Sequence, residues 1–229
     1  MKEGISLKKV KVIEKKNIKG DFWWVVLESE DGFKFVAGQY VSVRVSEKGE
    51  RRDYSMAGKE GENGFALLVD VGPGGVGSKF FENLKEGEMV EVLGPMGEFK
   101  VRDEDEGAVM IATGSGIAPI KMMVEEEIKK GKKTWLVWGM RYEKDVFWVE
   151  MFEEWEKRYS NFKFDLVLSK GGEEWKGKRG HVQDVVEREL GEWKDSGFYI
   201  CGARETVEDI EEWLLSNEVK LELVRKENF

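Results

Sequence analysis

Arg52-Asp53-Tyr54-Ser55 and Gly114-Ser115-Gly116-Ile117-Ala118-Pro119 are the stretches of this 229-residue chain whose residue types and spacing suit them to chemistry. The first offers a guanidinium for a phosphate, a flat aromatic for a ring system and a hydroxyl for a ring heteroatom. The second is a glycine turn between a strand and a helix, where a phosphate-bearing ligand can approach backbone N–H groups. Gly72-Pro73-Gly74-Gly75-Val76-Gly77-Ser78 is another such turn; Ser78 adds a hydroxyl there or caps the helix that follows. Two anionic ligands meeting between two domains point to electron transfer from one to the other.

The elements that must position these motifs fall into two halves. Segments 7–13, 23–28, 40–45, 65–71 and 89–93 are rich in Val, Ile and aromatics and are separated by Gly, Asp and Asn turns, which predicts strands. Their even spacing predicts a small antiparallel barrel or sandwich, with one helix over 78–84. The pattern changes after the charged stretch 102–106, which is read as the boundary between domains 1–102 and 103–229. Beyond it, strands at 108–112, 134–138, 164–168, 198–200 and 219–224 alternate with helices at 120–130, 146–158, 182–190 and 205–216. That alternation predicts a five-stranded parallel sheet with helices on both faces, whose ligands bind at the carboxyl ends of the strands.

Composition removes whole classes of function. The single cysteine, Cys201, excludes an internal disulfide and a four-thiolate iron–sulfur cluster borne by these residues. The single histidine, His181, excludes a His-rich metal site and reads as a structural residue of a turn; no metal is expected. A net charge of −9 argues against general nucleic-acid binding. The charge is uneven: residues 1–20 hold seven Lys against Glu3 and Glu14, so they carry +5 and the rest −14. This basic stretch reads as an edge strand blunted by lysines, or as a dock for an acidic partner. The longest apolar run, 22–27, is far short of a membrane span, and residues 1–10 hold no apolar leader core, so the cytoplasm is the expected compartment. Scarce Gln with abundant Lys and Glu is a thermophile-like bias.

The turn at Gly114 departs from the usual dinucleotide fingerprint, because Pro119 stands where the last glycine is expected. No acid ends the next strand either, since Trp138 is followed by Gly139-Met140-Arg141. A phosphate-binding turn survives these departures; the ribose-acid rule does not.

Taken in order, Gly38-Gln39-Tyr40, Arg52-x-Tyr54-Ser55, Gly74-Gly75-Val76-Gly77-Ser78, Gly94-Pro95-x-Gly97-x-Phe99, Gly114-Ser115-Gly116-x-Ala118-Pro119, Trp138-Gly139-x-Arg141 and Cys201-Gly202 resemble the ferredoxin–NADP reductase superfamily over roughly residues 10–201. The resemblance implies a flavin-binding antiparallel barrel followed by a nicotinamide-nucleotide domain. It implies that Tyr54 stacks on the isoalloxazine, that Ser55 hydrogen-bonds near its reactive nitrogen, and that Arg52, with Asp53 beside it in the motif, pairs with the flavin phosphate. Val69 and Val71 would line the ring pocket, and Gly75, Val76, Gly77 and Ser78 would hold the pyrophosphate of FAD. Thr113, Gly114, Ser115, Gly116, Pro119, Gly139 and Arg141 would receive the nicotinamide nucleotide, with Cys201 and Gly202 bordering its ring. Ser169-Lys170 stands where NADP-preferring members often have Ser-Arg, so the coenzyme is NADPH or NADH. Phe229 is either an aromatic that covers the flavin or a frayed end. Ser55, Cys201 and Phe229 are the implied catalytic set. The implied activity is hydride transfer from NAD(P)H to FAD, with electrons passed to a carrier such as ferredoxin or flavodoxin, a small acidic redox protein or an oxygenase component. The alternatives are a free-flavin reductase and a non-catalytic nucleotide-binding scaffold or electron-transfer subunit.

Overall fold

The computed structural model describes residues 5–229; residues 1–4, with Lys2 and Glu3 of the basic stretch and part of the leader segment, lie outside the described residues. Two compact units follow one another, the first ending at Glu98 and the second running Phe99–Phe229. The first is a closed antiparallel barrel of six strands: β1 (Ser6–Lys19), β2 (Phe22–Glu28), β3 (Tyr40–Arg44), β4 (Arg51–Glu60), β5 (Gly64–Asp70) and β6 (Met89–Met96). Around the barrel the order is β1-β2-β5-β4-β3-β6, and helix α1 (Val76–Asn83) follows β5. Alternation builds the interior: Val10 and Val12 of β1, Val41 and Val43 of β3, and Val90 and Val92 of β6 are buried, while their odd neighbours on β1 and β6 face outward.

Two expectations change here. Strand β4 has no counterpart among the five segments read from sequence, because Arg51–Glu60 carries no Val, Ile or Thr and buries only Met56, Ala57 and Gly58. Pairing with β3 and β5, not propensity, makes it a strand. The basic β1 is not an edge: it pairs with β2 on one side and β6 on the other, so its lysines do not blunt a free ladder.

The second unit holds an all-parallel sheet in the order β10-β9-β8-β7-β11-β12, built from β7 (Gly107–Thr113), β8 (Lys133–Met140), β9 (Phe162–Leu168), β10 (Lys178–Arg179), β11 (Gly197–Gly202) and β12 (Val224–Asn228). It has six strands, not five. The extra one is two residues long and polar, so no apolar pattern announces it. The last strand also lies later than 219–224: Val219 is drawn into the core, Leu221–Leu223 form a 3-10 turn, and Val224–Asn228 pair with β11. Helices α2 (Ile117–Lys129) and α3 (Val149–Arg158) cover one face; α3 sets the Phe152 ring 5.0 Å from that of Phe164 on β9. Val109, Ile111, Val137 and Ile200 pack on the other face against α4 (Val182–Val186), α5 (Leu190–Trp193) and α6 (Arg204–Ser216). The expected helix 182–190 is thus two short ones, the second placing Trp193 against Trp135 at 5.5 Å. His181 precedes α4, and its N–H donates to the Asp184 carboxylate at 2.6 Å.

At the N-terminal ends of β7, β11 and β12 a cavity of about 450 Å³ opens among Arg102, Asp105, Asp195 and Arg225, at the opposite end of the sheet from the glycine turn. Beside it, the buried Tyr199 hydroxyl donates to the buried Asp105 carboxylate and accepts from the Arg102 N–H at 2.9 Å. Tyr199→Phe leaves both partners unmet, which costs about 2 kcal/mol. The expected result is a thermal midpoint lower by roughly 4–8 °C, read by calorimetry.

Candidate active site

In the barrel, Arg52, Asp53, Tyr54 and Ser55 lie on β4, paired with Val43, Ser42, Val41 and Tyr40 of β3. Strand alternation puts Arg52 and Tyr54 on one side, and there they meet the first turn of α1. A Cβ built on Gly77 would overlap the Tyr54 hydroxyl and lie 3.3 Å from Arg52 Cγ. The Tyr54 ring also stands edge-on to Phe81 at 4.8 Å. Two motifs more than twenty residues apart in sequence thus converge on one glycine. Gly75 is the N-cap of α1, with no side chain capping it, and Val76, Gly77 and Ser78 open the helix. Ser78 is buried inside the first turn and is not the cap. Gly74, at φ +67, and Gly75 have open space where a Cβ would be. The result is a helix N-terminus with exposed glycine backbone next to a cation and a ring. Val69 is buried in β5 and Val71 just beyond it. Burial pushes the Tyr54 phenol up to about 12; the Arg52 cation opposes the rise and Asp53 adds to it. The phenol is therefore a neutral donor throughout the physiological range.

In the second unit the order of the sheet reverses at β7, which lies between β8 and β11. The carboxyl ends of β7 and β11 form the crevice where such sheets receive ligands. Thr113 ends β7, Gly114–Gly116 form a 3-10 turn, and Pro119 sits in the first turn of α2, where its missing N–H is harmless. A Cβ on Gly116 would fall on the Cys201 carbonyl, 2.8 Å from the Gly202 nitrogen, and one on Gly202 would overlap Thr113 Oγ1. Turn and strand end are therefore packed backbone to backbone. Gly114, at φ +55, has nothing near its absent Cβ, and Ser115 is partly exposed. Gly139 is near the end of β8, with Val182 2.8 Å from a Cβ built on it. Arg141 follows β8 and lies 5.4 Å from the Tyr142 ring. Ser169 and Lys170 follow β9, their N–H groups donating to Met140 and Arg141 carbonyls at 3.0 and 2.9 Å. Phe229 is exposed, and its N–H donates to the Gly202 carbonyl at 3.3 Å, which holds it at the Cys201 end of the sheet.

Two positioning residues were not given a role from sequence. Trp138 Nε1 donates to the Gly114 carbonyl at 3.1 Å and fixes the turn, and Phe81 backs the Tyr54 ring. The signal for Trp138 was its type: a buried indole N–H needs an acceptor. For Phe81 it was spacing, one helical turn after Gly77.

The buried Cys201 thiol is pushed well up, first by burial and then by Glu227, with the Gly202 N–H opposing. It is a neutral, apolar-sized wall and not a nucleophile. The folded protein is expected to resist iodoacetamide near pH 9, where an ordinary thiol ionises, and to be labelled once unfolded in guanidinium chloride. Mass spectrometry reads the difference.

The sequence matches the family description "Oxidoreductase FAD-binding domain" over residues 9–101 and "Oxidoreductase NAD-binding domain" over residues 110–212. Ferredoxin--NADP reductase B of Sorangium cellulosum is 33% identical over 168 residues, 69% of this chain and 68% of that protein. Protein RfbI of Salmonella typhimurium is 33% identical over 172 residues, 74% of this chain and 51% of that protein. The chain spans about half the length of RfbI and of several other curated relatives it matches. Among solved structures, Amycolatopsis cytochrome P450 reductase GcoB is similar with a TM-score of 0.91 and 26% identity, covering 98% of this chain and 70% of that one. The chain belongs to the ferredoxin–NADP reductase superfamily, with an FAD-binding barrel domain and a nicotinamide-nucleotide-binding α/β domain.

Proposed function

We propose that this chain is an NAD(P)H-dependent FAD reductase that passes electrons to a redox carrier. The observation that carries the reading is the convergence of Arg52 and Tyr54 on Gly77 at the open start of α1. A cation, a ring and uncapped backbone N–H groups at one place fit a ring system joined to a pyrophosphate, the chemistry of FAD. When bound, FAD accepts a hydride from reduced nicotinamide and can release its electrons to a carrier.

The chain's own residues orient, shield and neutralise. Arg52 offsets phosphate charge, and Gly74 to Gly77 bring backbone close to the pyrophosphate. The Tyr54 ring, held by Phe81, gives a flat apolar wall, the backbone of Val69 and Val71 lines the ring pocket, and the Ser55 hydroxyl supplies a hydrogen bond near the reactive ring nitrogen. In the second unit Thr113 and Gly114–Gly116 receive the nucleotide phosphates, Gly139 lets Val182 pack closely beside Thr113, and Arg141, Ser169 and Lys170 meet the adenosine end of NADPH or NADH. Gly202, at the end of β11, borders the nicotinamide, the uncharged Cys201 thiol is packed out of contact behind it, and Phe229 stands at the same strand end. No acid or base is required, because hydride transfer needs two rings held at near-attack distance with water excluded. The carrier is a redox protein or an oxygenase component; relatives that include an anthranilate 1,2-dioxygenase electron transfer component support this.

The test is the visible spectrum of the purified protein, followed by NADPH or NADH without oxygen. A yellow protein bleached by one nucleotide upholds the reading and gives the coenzyme. A protein that stays colourless after FAD is added overturns it in favour of free-flavin reduction or a scaffold.

A further inference from the structure

Residues 169–177 leave β9 at its carboxyl end and lead to β10, and each of them is exposed or half-buried. A connection with no core of its own, and with Gly171, Gly172 and Gly177 in it, is expected to wander. This one is tied down instead. Arg179 reaches back from β10, and its Nη2 donates to the Gly172, Glu173 and Trp175 carbonyls at 2.6, 3.0 and 2.8 Å. The Trp175 indole Nε1 donates to the Lys178 carbonyl at 3.0 Å, and the Trp175 backbone N–H donates to the Gly172 carbonyl at 3.0 Å. Gly171 and Gly177 make room for that ring: a Cβ would lie 3.0 Å from it on the first and 2.5 Å on the second. The far end is anchored by Lys178, whose ammonium meets the buried Asp165 carboxylate at 2.6 Å.

These bonds pin Lys170 from both sides. Its own N–H donates to the Arg141 carbonyl at 2.9 Å. Just beyond it, Gly171 rests on the Trp175 ring and the Gly172 carbonyl is held by Arg179. Two exposed cations, Arg141 and Lys170, thus stand on joined backbone at the ends of β8 and β9. The first acids after them in sequence are Glu143 and Glu173. Cations at such strand ends receive a phosphate, whereas the hydroxyls of an unphosphorylated ribose call for an acid. We infer that Arg179 is a positioning residue for coenzyme selection. Without touching the nucleotide, it holds the 169–177 loop, and through it Lys170, where the extra phosphate of NADPH arrives. This rests on the proposed placing of Arg141, Ser169 and Lys170 at the adenosine end.

Preorganisation is why a residue out of contact matters. A lysine on a free loop loses chain and side-chain freedom on meeting a phosphate, and that ordering opposes binding. Arg179 and Trp175 impose the order when the protein folds, before any nucleotide arrives. NADH has no phosphate at that place and gains nothing from it. The two coenzymes therefore separate this effect from general damage to the fold.

The test compares Arg179→Ala, and Trp175→Ala as an uncharged second support, with the unaltered full chain loaded with FAD. In each variant the KM for NADPH should rise by about fivefold, the effect of ordering one long side chain, while that for NADH and both kcat values hold. Lys170→Ala should do the same, and adding it to Arg179→Ala should lose nothing further, since both changes remove one interaction. Trypsin, which needs no nucleotide, should cut after Lys176 at least about tenfold faster in the Arg179 and Trp175 variants. A KM effect in Arg179→Ala but not in Trp175→Ala overturns the inference in favour of direct phosphate contact. An unchanged KM for NADPH, equal rises for both coenzymes, or additive losses with Lys170→Ala overturn it too. So does a loop that trypsin already cuts freely in the unaltered protein. Bleaching of the unaltered protein by neither nucleotide is the distinct result that sinks the reading of the site itself, and this inference with it.

Discussion

Gly116→Ala is expected to slow nucleotide-driven reduction while leaving the flavin spectrum intact. The added Cβ would meet not a side chain that can turn away but the Cys201 carbonyl group and the Gly202 nitrogen of β11. Backbone in the middle of a parallel sheet cannot retreat without breaking the pairing of Cys201 with Ala112 and Glu227. Overpacking of this kind costs about 1–3 kcal/mol even where neighbours can adjust. Here the adjustment must come from the 3-10 turn, which lifts Thr113 and Gly114 away from their places. Stopped-flow bleaching by NADPH or NADH should slow by at least about tenfold, equivalent to about 1.4 kcal/mol. Gly114→Ala is the control: its Cβ meets nothing, so only the strain of a positive φ, about 1–2 kcal/mol, applies. Equal loss in the two variants would mean that backbone conformation and not clearance governs the turn.

Gly77→Ala is expected to do the opposite, releasing FAD while sparing the nucleotide unit. The new methyl would occupy the position of the Tyr54 hydroxyl and crowd Arg52 Cγ at 3.3 Å. Tyr54 has little freedom to yield, since its ring rests edge-on against the buried Phe81. Either the ring tilts or α1 shifts, and both disturb the junction of cation, ring and helix start. FAD affinity should fall by about 10–100-fold, or about 1.4–2.8 kcal/mol. Gel filtration followed by the ratio of visible to ultraviolet absorbance measures the loss. Retention at the level of the unaltered protein would remove Gly77 from the flavin site.

Much of this site was legible because glycine and aromatic residues in order constrain the backbone strongly. The motifs at Arg52, Gly74, Gly114 and Cys201 identify the two binding units before any coordinates. What the sequence does not carry is which residues touch. Gly77 looks like one more glycine of a phosphate turn, yet its work is clearance for Tyr54; Gly116 likewise makes room for β11. Both contacts are tertiary and leave no local periodicity. The same holds for β4 and β10, whose polar residues become strands only through their neighbours. Segment 219–224 misleads for the reverse reason: its alternating Val and Leu look like a strand, but Val219 serves the core beneath the sheet.

The burial of the single thiol makes the protein convenient for spectroscopy. Because Cys201 is sealed within β11, a cysteine introduced at an exposed position would be the one thiol open to a maleimide dye or nitroxide. Paired probes, one on the barrel and one on the α/β unit, would then report distances between the two units through a catalytic cycle. No existing residue would need to be removed first.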